Sequence, residues 1–391
     1  MTNSSGSRIP LAVPNISGRE WEYVKQALDT GWVSSAGPHV SAFETEFAAA
    51  TRALHAVAVA SGTAALHLSL LAQRIRPGDE VLLPSLTFVA PANAIRYVGA
   101  FPTFIDVDRR HWQLSPQAVR SFLQDDCSPG DRGPVNRHTG RTVSGVVPVD
   151  ILGHPSDLDA LSAIAAEFGL AIVEDATESL GASYRSRLLG GISSPTCFSF
   201  NGNKLLTTGG GGMVTTNDPE QAERIRYLST QAKDDELRYR HNEIGFNYRL
   251  TNVQAAIGRA QLERLGEFVA NKREISRRYV EAFAPYDMIE PQEEARWARS
   301  ACWLSTVLLD DRITSGDPAL VSVGLDGFGI QTRPLWEPLH RSEAHSASYH
   351  GPCPVSDQIQ RSALSLPSST ALTSEDQSRV IEAIVRIATT S

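Results

Sequence analysis

The chain has 391 residues, 41% of them hydrophobic and 20% charged, with 36 Lys and Arg against 44 Asp and Glu for a net charge of -8. That is enough length for a large core and two domains, and the acidic balance without a long basic run argues against a nucleic-acid partner. No apolar run reaches membrane-spanning length, and the opening "MTNSSGSRIPLAVPN" lacks the apolar core of a secretion signal, so a cytoplasmic location is expected.

The first fifty residues carry a polar tail, a helix-like "GREWEYVKQALDTG", a Gly/Ser-rich turn "GWVSSAGPHV" and a second helix "SAFETEFAAAT". Strand and helix text then alternate. "HAVAVA" reads as a strand, and "SGTAALHLSLLAQR" as a helix opening at Ser61–Thr63. "DEVLLPS" and "FPTFIDVD" are strands flanking the helix "FVAPANAIRYVG". "GVVPVDILG" is a strand, followed by a helix "SDLDALSAIAAEFG" with Ser156 or Asp157 as N-cap and Gly169 as stop, and then the strand "LAIVEDA". The polar segment 124–142 interrupts this pattern as an excursion.

Such alternation predicts an α/β fold, a mainly parallel sheet flanked by helices, with ligands at the carboxyl ends of its strands. From about Thr251 the text becomes long-helical, then mixed, and ends in the amphipathic "SEDQSRVIEAIVRIATT". The expected division is a large domain over 1–255, including the N-terminal helices, and a smaller C-terminal α/β domain over 256–391. Cys127, Cys197, Cys302 and Cys353 lie far apart without zinc-like spacing, so reduced thiols and no metal are expected.

Three stretches carry chemistry. In "VASGTAAL" a strand ends and a helix begins, so the free N–H groups, Gly62 and the hydroxyls of Ser61 and Thr63 make either a phosphate seat or an ordinary cap. In "IVEDATESLGA" three acids, Glu174, Asp175 and Glu178, gather where a buried strand finishes. Acids there need partners; without nearby histidines, a heterocyclic nitrogen fits better than a metal. In "FSFNGNKLLTTGGGGM" one lysine, Lys204, lies between a strand and four glycines, where backbone can pass close to a bulky group. A desolvated lysine is the side chain that forms Schiff bases. A phosphate seat, an acid at a strand end and such a lysine together define pyridoxal 5'-phosphate, with Ser199 adding a phosphate contact and Phe88, in "PSLTFVA", stacking on the ring.

These motifs, in this order, resemble the DegT/StrS family of fold-type I, pyridoxal-phosphate-dependent sugar aminotransferases. The resemblance covers most of the chain, from "GWVSSAGPHVSAFE" through "GFNYRLTNVQAAIGRAQLERL" to "TRPLWEPLH". It implies that Lys204 is the Schiff-base lysine and Asp175 the partner of the pyridine nitrogen. It also implies that Phe88 stacks on the ring, that Gly62, Thr63 and Ser199 bind phosphate, and that Glu178 stands beside the cofactor. Asn247 would reach the phosphate of a neighbouring subunit, making a homodimer with shared active sites. Trp32, Ser34, Arg333 and His340 fall in segments associated with the sugar-nucleotide pocket. "GGGG" at 209–212, where many members have "GEGG", and "NRHTGRTVSGVVPVDILG" are similar to the bacillosamine and legionaminic-acid branch. The expected reaction is therefore amination of the C4 ketone of UDP-2-acetamido-2,6-dideoxy-4-keto-hexose with L-glutamate as donor. GDP- or dTDP-4-keto-6-deoxyhexose is the alternative, and a non-catalytic regulatory protein on the same scaffold the remote one.

Overall fold

A computed structural model describes residues 8–193, 195–235 and 237–390; the first seven residues of the polar tail lie outside them. At its centre, parallel strands Phe101–Ile105, Glu80–Pro84, Val143–Val146 and Ala171–Ile172 lie side by side in that order. The expected strand "LAIVEDA" is shared between two ladders. Its first half pairs with Val143–Val146, while Glu174–Asp175 pairs in parallel with Thr196–Ser199. Beyond that, Gly212–Thr216 runs antiparallel between Thr196–Ser199 and His55–Val59. The result is one mainly parallel sheet with a single reversed strand near its edge. Both faces are covered: every residue of Glu80–Pro84 and of Gly212–Thr216 is buried, as a sheet sandwiched by helices requires.

The helices follow their caps. Ser61 accepts from the Ala64 N–H at the start of Gly62–Ala72, and Asp157 accepts from the Ala160 N–H at the start of Leu158–Phe168. The latter helix stops at Gly169 in the left-handed region (φ 70°), where glycine carries no Cβ penalty. The excursion at 124–142 contains the short paired strands Cys127–Ser128 and Val135–Asn136.

A second core gathers Ile275, Tyr279 and Phe283 of helix Leu265–Phe283 with Val380 and Ile384 of the final helix, against Val307, Leu309, Leu364 and Leu366. It covers an antiparallel sheet ordered Ile289–Pro291, Ser305–Leu309, Ala363–Leu366, Arg333–Pro334. Ile9, from the N-terminal segment, is buried in this same core. Helix Asn252–Leu262 instead sets Ala256 and Ala260 against Tyr23 of helix Glu20–Asp29. Residue 256 therefore falls inside a helix that packs on the N-terminal helices.

Candidate active site

Four loops leave the carboxyl ends of parallel strands on one side of the sheet: after His55–Val59, Glu80–Pro84, Glu174–Asp175 and Thr196–Ser199. They enclose a cavity of about 240 Å³ whose walls include Gly62, Thr63, Phe88, Glu178, Ser199 and Lys204. A larger hollow of about 630 Å³, bordered by Arg109, Glu290, Asp310 and Arg361, lies elsewhere and holds no reactive lysine. The smaller cavity is the one that gathers Lys204, Glu178 and the Ser61–Thr63 helix start.

Lys204 sits in the turn after Thr196–Ser199, its N–H bonded to the Asn201 carbonyl. Its Nζ lies 3.1 Å from Glu178 Oε1, with side-chain exposures of 14% and 5%, so water screens this pair little. The other Glu178 oxygen accepts from the Leu152 N–H at 2.8 Å, which fixes the carboxylate. On another side the Trp303 ring centroid lies 4.1 Å from Nζ, within cation–π range.

The three acids of "EDATES" go to three environments. Glu174 points into the core, where Oε2 accepts from Thr196 Oγ1, beside an equally buried Asp150. Desolvation raises the pKa of both, so Glu174 belongs to the scaffold. Asp175 is 2% exposed, and its Oδ1 accepts from the Thr177 N–H at 3.1 Å. Its pKa is pushed up to about 6, chiefly by desolvation; Glu178 adds to the rise, while the Thr177 hydrogen bond and the Lys204 charge oppose it. Only Glu178 of the three reaches the cavity wall.

A group with a phosphate, a planar ring and a basic ring nitrogen fits this architecture. The first N–H groups of Gly62–Ala72 have no intrahelical partner and face a seat shared with Ser199. The seat is cut for bare backbone: a Cβ on Gly62 would fall 2.8 Å from Ser199 Cβ and 3.1 Å from Thr177 Cγ2. The glycine run has the same origin. A Cβ on Gly212 would meet the Ser61 carbonyl at 2.6 Å, and Gly211 adopts φ +138°. A desolvated acid with a raised pKa gains most from a cationic partner, which a protonated ring nitrogen supplies. Phe88 is 51% exposed, its ring centroid 6.2 Å from that of Trp336 across the mouth of the cavity.

Other expected site residues lie apart from this cavity. His340 Nδ1 is hydrogen-bonded to Ser85 Oγ at 2.6 Å and Nε2 lies 3.4 Å from Asp357, below the loop that carries Phe88. Arg333 is exposed on the edge strand of the small sheet. Trp32 and Ser34 are exposed, and their carbonyls accept from the Nδ2 and backbone N–H of Asn252 at the start of a helix. Asn247 is exposed beside Thr230, outside the cavity. Sequence reading missed Trp303 and Trp336, which supply aromatic wall from the C-terminal part of the chain; Trp336 lies within "TRPLWEPLH", a signal open to sequence reading, whereas Trp303 follows no motif and only the fold brings it in.

The family model described as "DegT/DnrJ/EryC1/StrS aminotransferase family" matches residues 14–385. The chain is 36% identical over 384 residues to the putative pyridoxal phosphate-dependent aminotransferase EpsN of Bacillus subtilis, covering 97% of this chain and 96% of the relative. It is also 36% identical over 381 residues to the GDP-perosamine synthase of Caulobacter vibrioides, covering 97% and 98%. Among solved structures, S. venezuelae DesV in complex with a ketimine intermediate superposes with a TM-score of 0.86 at 32% identity, covering 98% of this chain and 99% of that one.

Proposed function

The chain belongs to the DegT/DnrJ/EryC1/StrS aminotransferase family, and we propose that it carries an amino group from L-glutamate to the C4 ketone of a nucleotide-linked 4-keto-6-deoxyhexose. The observation that carries this reading is the Lys204 amine, 3.1 Å from Glu178, in one cavity with the Ser61–Thr63 helix start and Ser199. Pyridoxal phosphate, bound there, would supply the electron sink that makes the carbon bearing the amino group acidic. Gly62, Thr63 and Ser199 would hold its phosphate, Asp175 its ring nitrogen and Lys204 its carbonyl carbon. Lys204, once free, is the base that takes the proton from the donor carbon and returns one to the sugar carbon. Glu178 keeps that amine within the cavity between the two transfers. Trp303, Trp336 and Phe88 limit water at the reacting atoms.

Similarity to GDP-perosamine synthases favours a GDP-linked sugar. The stretches "FNGNKLLTTGGGGM" and "NRHTGRTVSGVVPVDILG" favour a second reading, UDP-2-acetamido-2,6-dideoxy-4-keto-hexose. A homodimer is part of the proposal: Asn247 is exposed, and the chain just before it leaves Leu237, Tyr239 and Ile244 87%, 71% and 86% exposed, apolar surface suited to a second copy.

One experiment tests the reaction and the substrate together. Cofactor-loaded protein is treated with L-glutamate, freed of it, and offered GDP-4-keto-6-deoxymannose or the UDP-linked keto sugar while the visible band is followed. Glutamate should abolish the band and the GDP sugar should restore it. Restoration by the UDP sugar alone moves the assignment to the second reading. A band that glutamate leaves unchanged overturns the proposed donor.

A further inference from the structure

Helix Leu265–Phe283 buries a cation that the proposed reaction does not use. Lys272 is 3% exposed, and its Nζ donates to the Trp303 carbonyl at 2.7 Å and to the Ser368 carbonyl. Both acceptors are neutral. An ammonium group desolvated against carbonyl dipoles alone is costly, and burial draws its pKa down to about 7. What it holds in place is the main chain of Trp303.

That main chain is pinned from both domains. The Ala301 N–H donates to the Gly153 carbonyl at 2.9 Å, and Gly153, at φ +92°, lies so near that a Cβ would fall 2.8 Å from Trp303 N. From the opposite side, Arg273 donates to the Ser300 carbonyl at 2.8 Å, one residue along the same helix from Lys272. The indole leaving this clamp is fixed as well: Trp303 Nε1 donates to the Asn203 carbonyl at 2.7 Å, adjacent to the lysine turn. Its ring centroid then stands 4.1 Å from Lys204 Nζ.

We infer that Lys272 is a positioning residue for the reactive amine: it fixes Trp303 so that the indole face lies against Lys204 and ties the amine to the small-domain helix. The inference rests on the reading of Lys204 as the cofactor lysine. The indole acts through its bulk: held 4.1 Å from Nζ, it covers one side of the amine and narrows the arc through which it swings.

The test is competitive acetylation of the cofactor-free chain at pH 8, with modification of Lys204 measured against the exposed Lys25 by peptide mass spectrometry. Trp303→Leu should raise Lys204 modification about threefold or more, since the ring that covers the amine is lost. Lys272→Met should produce the same rise, and the double variant no more than either single one, the pattern of residues acting in series. Lys272→Gln, which keeps an N–H donor, should recover part of the wild-type protection. In loaded enzyme, Lys272→Met should lower kcat with the KM for glutamate held within about twofold. Lys204 protection equal to wild type in a Lys272→Met protein that melts at lower temperature would make Lys272 a purely structural residue and overturn the inference. Should Lys272→Met fail to fold, Trp303→Leu decides, because unchanged Lys204 modification there removes the indole from the chain of effects. Failure of wild-type protein to take up pyridoxal phosphate at Lys204 overturns the function and leaves the acetylation ratios standing.

Discussion

Removing the Lys204 amine should cost both turnover and stability, and the two losses can be separated. Lys204→Ala leaves the Glu178 carboxylate, 5% exposed, facing the space its partner occupied. Breaking a fully buried ion pair costs about 3–5 kcal/mol. Here Glu178 keeps its bond from the Leu152 N–H, and the cavity admits water to the orphaned oxygen. The expected loss is therefore about 1–3 kcal/mol, or a melting temperature lower by a few degrees. Replacing the acid in the same background, as Lys204→Ala/Glu178→Gln, removes the uncompensated charge and should restore most of that stability. Lys204→Arg keeps a cation near Glu178 but offers no amine to the cofactor, so it should fold like wild type and turn over nothing.

Turnover in Lys204→Ala should fall by at least the 10²–10⁴-fold typical of a positioned acid–base group. Thermal melts and steady-state assays with glutamate and the keto sugar on these three variants check every arm. Turnover in Lys204→Ala within about 10²-fold of wild type, or measurable turnover in Lys204→Arg, would refute the catalytic assignment. A Lys204→Ala protein as stable as wild type would refute the claim that Glu178 is held by this pair.

Three further outcomes follow from the geometry. Asp175 has a folded-state pKa raised to about 6, so its carboxylate is complete above that value and disappears below it; cofactor affinity should be full near pH 8 and fall towards pH 5. Asp175→Asn should bind more weakly with no such dependence, and a flat profile in wild type would refute the pairing with the ring nitrogen. Gly62→Ala improves helix propensity but drives a Cβ to 2.8 Å from Ser199 Cβ; it should lose about 1–3 kcal/mol and weaken phosphate binding, whereas a more stable variant would show that the seat is not tight. His154 is buried, accepts from the Ala295 N–H and has a pKa lowered to about 4, first by desolvation. The unfolded chain therefore takes up this proton before the native one does. About 3 kcal/mol of stability present above pH 6.5 should be lost as the pH falls to 4; denaturant titrations of wild type and His154→Gln at the two pH values measure it.

How much of this was legible in the sequence depends on how far apart the interacting residues lie. The strand–helix alternation, the Ser61 cap, the Asp157 cap and the Gly169 stop are local, and the text displays them because one turn of chain contains every interacting atom. The glycine run was legible as a close approach, although not that the Ser61 carbonyl is what it approaches. Splitting the acids of "EDATES" was within reach: neighbouring residues on a strand face opposite ways, so Glu174 and Asp175 could not both reach one ligand. Residue 256 lies within a helix and not at its edge, since the helical period runs almost unbroken through Asn252–Leu262 and Leu265–Phe283, and periodicity is silent on which core a helix joins. Trp303 was beyond sequence reading altogether. It stands 99 positions after the lysine it covers, and it arrives there through the Lys272 and Gly153 contacts, each invisible without the fold. The residues proposed to hold the cofactor lie in motifs, since a strand end and its loop must carry them together. Trp303 packs in the main core and Lys272 lies on helix Leu265–Phe283, both distant in sequence from Lys204, and for these the sequence has no local signature to offer.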